Sequence, residues 1–425
     1  MEKYTKQVAQ VQVQSALSEL AREAGPRAKR KERQKQAKEQ EQQRRQKRLK
    51  ELRELETFGC DLGDKTSQVF AIRPDGSQWK PPEPIATTRE GFAKFFEGRE
   101  RAHVVIEVGA HSRWVKKVLE SLGHEVTVAN ARQLPLLTKS DKKSDQRDAE
   151  LLAKMGRSEL DLIEPVTHRE DQAQADLAVP KARDLLVRQR TAVINQVRGM
   201  IKATGCRVPG CAAEAFHRKA SKHVPRELQS AVQPLLVVLE VLDEEIRDYD
   251  KQIEKLAKTR YPDVERVSQI CGVGVLTGLV FILTLADKRR FPSSRDVGAY
   301  IGLVPQKSQS GEKDPQLPIT KAGDELLRRL LVQDANYILG PLCRQDSDLQ
   351  RWGRKLCARG GKSAYKRAKV ALARKLGVVM HRLWTTGEDY EPLGYHQKTQ
   401  KARKEARAAQ AAAQPTEKPV EQKLQ

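Results

Sequence analysis

The stretch Thr57-Phe58-Gly59-Cys60-Asp61-Leu62-Gly63 decides how the first half of the chain is read. Phe58, Cys60 and Leu62 alternate with small or polar residues, the period-two pattern of a half-buried β-strand. Asp61 then falls in mid-strand, with its side chain on the face opposite to Cys60 and Leu62. An acid inside an apolar strand needs a compensating partner. Downstream, Gln68–Ile72 is a second strand-like run, followed by a Pro74-Asp75-Gly76 turn and a short segment around Trp79. Glu90–Glu97 reads as a helix, His103–Glu107 as a buried strand, Ser112–Leu122 as a helix closed by Gly123, and Glu125–Ala129 as a further strand. Strands followed by alternating helix and strand predict an α/β domain over residues 57–165.

The 425-residue chain as a whole divides by charge and periodicity. It carries 79 Lys+Arg against 56 Asp+Glu, a net charge of +23 that makes nucleic acid the leading partner class. Residues 1–56 hold 16 basic and 9 acidic residues, and residues 341–425 hold 19 and 8, so most of the excess lies at the two ends. Between Arg27 and Arg48 the only apolar residues are Ala28 and Ala37, so 1–56 is expected to be a basic helical or disordered extension, and 396–425 a disordered basic tail. No run approaches the ~18 apolar residues of a membrane span. The start MEKYTKQVAQ lacks the apolar core of a signal peptide, and six scattered cysteines make no disulfide framework. No membrane partner is expected, and the cytoplasm is the expected compartment.

Leu228, Val232, Leu235, Leu239, Leu242, Ile246, Tyr249, Ile253 and Leu256 are spaced alternately four and three apart, with Asp and Glu among the intervening residues. With the stripe Leu186, Val193, Val197 and Met200, interrupted by Arg190, this predicts two long helices and a coiled-coil arm over 166–262. Pro234 is a blemish in that pattern, expected to kink the helix or to lie near its start. A homodimer or homotetramer through the arm is the expected assembly. Residues 263–395 form a third, mainly helical region. In it Ile270-Cys271-Gly272-Val273-Gly274 precedes the apolar helix Val275–Leu285, and Tyr365–Trp384 is basic on one side and apolar on the other.

Two constellations bear on chemistry. Phosphodiester cleavage with metal ions needs several converging carboxylates. Asp61 in its strand, Glu107 at the end of another, and Asp145 and Asp148 three apart at a helix start supply four. Singly, Asp145 reads as a helix N-cap and Asp148 as a first-turn acid; their spacing with the other two carries the signal. In the loop Ser308-Gln309-Ser310-Gly311-Glu312-Lys313, two hydroxyls lie near Lys307 and Lys313, although Ser-Gly in a polar loop is ordinarily a turn.

Taken in order, Gly59-Cys60-Asp61-Leu62-Gly63, Ile106-Glu107-Val108-Gly109 and Lys143-Ser144-Asp145-Gln146-Arg147-Asp148-Ala149-Glu150 resemble the DEDD motifs of the bridge-RNA-guided insertion-sequence transposases, or recombinases. Ile270-Cys271-Gly272-Val273-Gly274, Phe291, Tyr300-Ile301-Gly302-Leu303-Val304-Pro305, Ser310-Gly311, Ile319-Thr320-Lys321-Ala322-Gly323 and Leu327-Arg328 resemble the same family's C-terminal serine transposase domain. Cys271 stands where that family more often has proline. The resemblance spans about 57–395 and implies a multidomain fold: a RuvC-like domain of the RNase H superfamily, the α-helical coiled-coil arm, and a mainly α-helical transposase domain. It implies that Asp61, Glu107, Asp145 and Asp148 bind Mg²⁺, and that Ser310 is the nucleophile of a phosphoserine intermediate, the acids assisting as a composite site. The implied partners are double-stranded donor and target DNA and a structured guide RNA, in a prokaryotic cytoplasm at the nucleoid.

The rival readings are a RuvC-like nuclease without a serine adduct, an actin-like ATPase suggested by Asp61-Leu62-Gly63, and a non-catalytic RNA- or DNA-binding descendant of a transposase. No second Gly-rich phosphate motif supports the ATPase. Cys206, Cys211, His217 and His223 are too closely spaced for a zinc finger, and Gly360-Gly361-Lys362-Ser363 lacks the first glycine and the strand of a P-loop.

Overall fold

The computed structural model describes residues 43–44, 46–81, 83–130, 144–158, 165–311, 313, 315 and 317–394. Most of the N-terminal extension and the whole 396–425 tail lie outside the described residues, as do Lys143 and Glu312. The chain divides into two compact units, residues 1–168 and 169–425.

The first unit is built on a mixed sheet. Its strands are β1 (Thr57–Asp61), β2 (Thr66–Ile72), β3 (Gln78–Trp79), β4 (Ile85–Ala86), β5 (His103–Glu107) and β6 (Glu125–Ala129), with α1 (Arg89–Phe96), α2 (Ser112–Ser121) and α3 (Asp145–Ser158). The order across the sheet is β3-β2-β1-β5-β6, with β4 pairing β2. β1 runs antiparallel to β2 and parallel to β5, and β5 runs parallel to β6. The tight return from β1 to β2 gives the antiparallel pair, while β5 and β6 are each reached through a helix, as parallel neighbours require.

Strand alternation divides the side chains between two faces. Phe58, Cys60, Val104 and Ile106 pack with Phe92 and Phe96 of α1 and Val115 and Leu119 of α2. On the other face, Val105 and Ala129 meet Leu152 and Met155 of α3, and Phe70 and Ile72 meet Ala149 and Ala153. Cys60 is fully buried, and burial followed by the charge of Asp61 pushes its thiol far above the usual range, so it is no nucleophile at neutral pH. The helix α3 lies so close to the sheet that a Cβ on Gly59 would stand 2.1 Å from the Ala149 carbonyl oxygen and 2.4 Å from the Ala153 nitrogen. A Cβ on Gly156 of α3 would in turn stand 2.3 Å from Val105 Cγ2 and 3.3 Å from Thr57 Cγ2.

The second unit begins with two long helices, α4 (Asp171–Ala203) and α6 (Gln229–Thr259), with the short α5 (Phe216–Ser221) between them. Ion pairs Arg260–Asp176, Arg183–Asp250 and Arg190–Asp243 join them, so one helix ascends as the other descends. The heptad residues Val232, Leu239, Ile246 and Ile253 are buried, and Leu228, Leu235, Leu242, Tyr249 and Leu256 are half-buried. Leu236, Asp243 and Ala257 complete the buried side. The periodic stripe is thus consumed largely within the hairpin of one chain. Arg190, the interruption in the α4 stripe, donates to Asp243 Oδ1 at 2.7 Å with both residues buried. Pro234 lies in the second turn of α6, inside a helix that continues through it.

The rest of the unit comprises α7 (Asp263–Val267), α8 (Val275–Leu285), α9 (Asp296–Tyr300), α10 (Glu325–Leu339), α11 (Asp348–Cys357) and α12 (Ala364–Thr386). Every residue of α8 from Thr277 to Leu285 is buried, as expected of a helix apolar all round. Its cluster takes in Leu177 of α4, Ile253 and Ala257 of α6, and Leu327, Leu331, Leu372, Leu376 and Met380. The hairpin and the helices beyond it therefore share one core. Asp334 on α10 is buried in that core with Oδ2 unpaired, and burial pushes its carboxyl up to about 7 against a hydrogen bond from Thr277.

Gly59→Ala is expected to destabilise the first unit by about 1–3 kcal/mol, because helix backbone must move to admit the methyl group. Denaturant unfolding measures this. The folded state retains the Asp334 proton to higher pH than the unfolded chain does. Stability is therefore full below the ordinary Asp range and falls as pH rises from about 4 to about 7, by at most ~1.4 kcal/mol per unit. Asp334→Asn should remove that slope and leave the variant more stable than the native chain at pH 8 in thermal unfolding.

Candidate active site

Asp61 is the last residue of β1, and Glu107 the last of β5. The sequence placed Asp61 in mid-strand; the strand instead ends on it, so the acid sits at the sheet edge. In the parallel pairing Cys60 stands opposite Ile106, so one residue further Asp61 and Glu107 end adjacent strands side by side. Both belong to the alternation set of Gly59 and Val105, the face that α3 covers.

The direction of α3 brings the other two acids to the same edge. Thr57 stands against Gly156, and Gly59 against Ala149, Leu152 and Ala153, so the helix runs backwards along β1. Two strand residues advance ~6.6 Å and four or five helix residues about the same distance. Two residues beyond Gly59, Asp61 is therefore level with the first turn of α3, where Asp145 and Asp148 lie. Asp145 is exposed and Asp148 only 9% exposed; Asp61 and Glu107 are half-buried. The helix is capped by Ser144, whose Oγ accepts from the Arg147 N–H at 3.3 Å, while its carbonyl accepts from the Asp148 N–H. The bland reading of Asp145 as the N-cap is thereby replaced, and its carboxylate is left for other work.

Four carboxylates at one edge are hard oxygen donors suited in kind to a small divalent cation. Asp148 is nearly buried and forms no ion pair among the described residues. Among the described residues, however, no three His, Cys, Asp or Glu side chains surround a common point closely enough to hold a metal. The acids share an edge and are not closed into a coordination shell.

In the second unit Ser310 lies on an excursion between α9 and α10. The base is closed by the Gln306 N–H to Pro318 and the Thr320 N–H to Val304, both 2.9 Å, and the tip by paired bonds between Ser310 and Lys313 at 3.1 and 3.2 Å. Gly311, with φ +57°, makes the turn. Ser310 is exposed at the tip, with exposed Lys307 and Lys313 on the two arms. At the foot, a Cβ on Gly302 would stand 2.4 Å from the Ala322 nitrogen, and one on Gly323 2.2 Å from the Tyr300 carbonyl oxygen. Lys321 between them holds φ +53°, a left-handed conformation uncommon outside glycine. Beyond the glycines themselves, nothing in the residue pattern marks this clamped foot.

The other sequence candidates do not form sites. His217 Nδ1 faces Asp243 Oδ2 at 3.4 Å, and His223 Nδ1 lies 2.9 Å from the Lys219 carbonyl, so the Cys206, Cys211, His217 and His223 set is not gathered. Cys271 faces Cys343 at 3.4 Å between sulfurs, and burial and the neighbouring thiol push it up to about 11. No helix among the described residues is long and apolar enough to cross a membrane.

A mixed sheet with an antiparallel hairpin and parallel crossovers, and a separate helical unit, make up the α/β and helical architecture of the chain. Comparison with known proteins identifies it as a DEDD-type transposase. Residues 58–205 match a DEDD transposase domain family described as a transposase, and residues 264–341 match the "Transposase IS116/IS110/IS902 family". The chain is 31% identical over 296 residues to the transposase for insertion sequence element IS1111A of Coxiella burnetii, covering 68% of this chain and 79% of that one. It is 31% identical over 342 residues to a putative transposase, y4pF/y4sB, of Sinorhizobium fredii, covering 77% and 84%. With the transposase for IS1328 of Yersinia enterocolitica it shares 32% over 253 residues, 59% of this chain and 74% of the relative. The chain belongs to the IS110 family of insertion-element transposases: it is a DNA transposase, with an RNase H-like first domain of a type that depends on divalent metal.

Proposed function

We propose that this transposase is guided by a structured bridge RNA and exchanges DNA strands through a phosphoserine intermediate on Ser310, with Mg²⁺ held by Asp61, Glu107, Asp145 and Asp148. The observation that supports the reading is the placement of Asp61 and Glu107 at the ends of adjacent strands, on the face covered by the helix whose first turn carries Asp145 and Asp148. Mg²⁺ bound there would offset negative charge on the phosphoryl oxygens. Asp61 and Glu107 at strand ends and Asp145 and Asp148 in a helix turn would hold it, all on backbone held by close packing.

Ser310 supplies the nucleophile. Its Oγ gives up a proton and bonds to phosphorus; the bond from phosphorus to the departing sugar oxygen breaks, and that oxygen takes up a proton. One phosphate ester replaces another, so a second DNA hydroxyl can reverse the step and rejoin strands without an outside energy source. Exposure at the tip of a turn flanked by Lys307 and Lys313 suits attack on a polyanion. Guidance by RNA accords with the family resemblance and with the basic charge of the chain, base pairing then taking over sequence recognition. Residence at the nucleoid follows from the same DNA substrate.

Ser310→Ala should abolish covalent protein–DNA adducts in denaturing gels while DNA binding persists; adducts that survive would show another nucleophile. Asp61→Asn should remove the divalent-ion dependence of cleavage together with cleavage itself, and unchanged recombination would exclude the metal assignment. A RuvC-like nuclease would cut without any adduct in the native chain.

We also infer a homodimer or homotetramer built through residues 228–256, not by the heptad stripe expected to form a coiled coil but by the opposite face. Its supporting feature is the outward face of α6, where Val237, Val238 and Val241 are 51, 46 and 51% exposed. A Val237→Glu/Val241→Glu pair is expected to lower the sedimenting mass to the monomer, and an unchanged mass would rule out this face.

A further inference from the structure

We propose that the corner formed by α11, the Gly360-Gly361 turn and the start of α12 is a grip for the phosphate backbone of double-stranded DNA. The inference rests on the identification of the chain as a DNA transposase, and adds to it the surface that holds duplex apart from any chemistry on Ser310. From residue 349 to residue 387 the sequence contains 11 Lys and Arg and not one Asp or Glu. The fold turns this composition into a surface. Ala364, Ala368 and Leu372 bury one side of α12, while Arg354, Lys355, Arg359, Lys362, Lys366 and Arg367 are exposed. None of these six forms an ion pair among the described residues, whereas Arg351, nearer the start of α11, pairs with Asp346. Six unpaired cations within 14 residues repel one another, and a polyanion relieves that repulsion.

The local shape favours a backbone over bases. Gly360 and Gly361 hold φ +77° and +90°, and a Cβ on either would meet nothing within 4 Å, so the turn is open to close approach. An unstacked single strand would require free aromatic faces. Here Lys369 Nζ lies 5.0 Å over the Tyr365 ring, and Lys375 Nζ 4.3 Å over the Trp352 ring, so each aromatic already carries a cation on one face. Charge from Lys and Arg, with no Asn or Gln from 351 to 387 to read base edges, fits sequence-independent contact with a duplex.

The test uses the full chain, a duplex of random sequence, and fluorescence anisotropy between 50 and 300 mM KCl. In a variant carrying Arg359→Gln, Lys362→Gln, Lys366→Gln and Arg367→Gln, the slope of log affinity against log salt should shrink by about 3–4, with affinity at 200 mM lower by about two orders of magnitude. A control with equal charge loss on α6 (Arg247→Gln, Lys251→Gln, Lys255→Gln and Lys258→Gln) should keep the native slope. Arg359→Lys with Arg367→Lys should keep it as well, and thermal unfolding checks that each variant folds. An unchanged slope in the first variant, or equal losses in the first variant and the α6 control, would overturn the grip. So would a loss confined to an RNA hairpin, which would assign the corner to RNA. In a separate assay with guide RNA, Mg²⁺ and donor and target duplexes at saturation in 50 mM KCl, adducts on Ser310 should persist in the grip variant. Their absence from the native chain there would refute the serine chemistry and leave the slope measurement on random duplex readable.

Discussion

The placement of the acids in the first unit depends on one close contact, the approach of α3 to β1 at Gly59. A helix normally rides on a sheet at side-chain distance; here the absent Cβ lets helix backbone come within reach of strand backbone. Gly156 repeats the device one strand over, against Val105 and Thr57. Two such contacts fix the position of the helix, its direction along the strand and its rotation. Those three quantities decide whether acids at a helix start can reach acids at strand ends. With the helix reversed, or turned by half a revolution, the same four carboxylates would lie on opposite ends or opposite faces of the sheet.

In the second unit the comparable constraint is polar. Arg190 and Asp243 are both buried between α4 and α6, and each would be costly without the other. Only one register of the hairpin joins them, and the Arg183–Asp250 and Arg260–Asp176 pairs agree with it. An apolar stripe alone tolerates sliding by a heptad. The pair supplies the register, and the shared core at Leu177, Ile253 and Ala257 ties the hairpin to the helices beyond.

Charge is likewise organised by the fold. The net +23 is not spread evenly: α6 carries acids among its heptads, the sheet edge gathers four carboxylates, and the α11–α12 corner concentrates unpaired cations.

Much of this was legible in the sequence. The alternation around Phe58 and Cys60 gave the strand, the spacing of Asp145 and Asp148 put them on one helix face, and the heptads gave a long helix. These are local patterns, with periods of two and 3.6 residues set by the backbone itself. What lay beyond them is non-local. Whether Asp61 stands inside a strand or ends it depends on where pairing with β2 and β5 stops. Whether Asp145 caps its helix depends on Ser144 taking that bond first. Whether the heptad stripe faces a second chain or its own α4 depends on partners more than fifty residues away, such as Arg190 for Asp243. The sequence by itself determined the elements and the kinds of donor available. The tertiary structure alone decided which donors share an edge, because that is set by contacts between backbones far apart in the chain, and a missing Cβ at Gly59 acquires meaning only when α3 arrives against it.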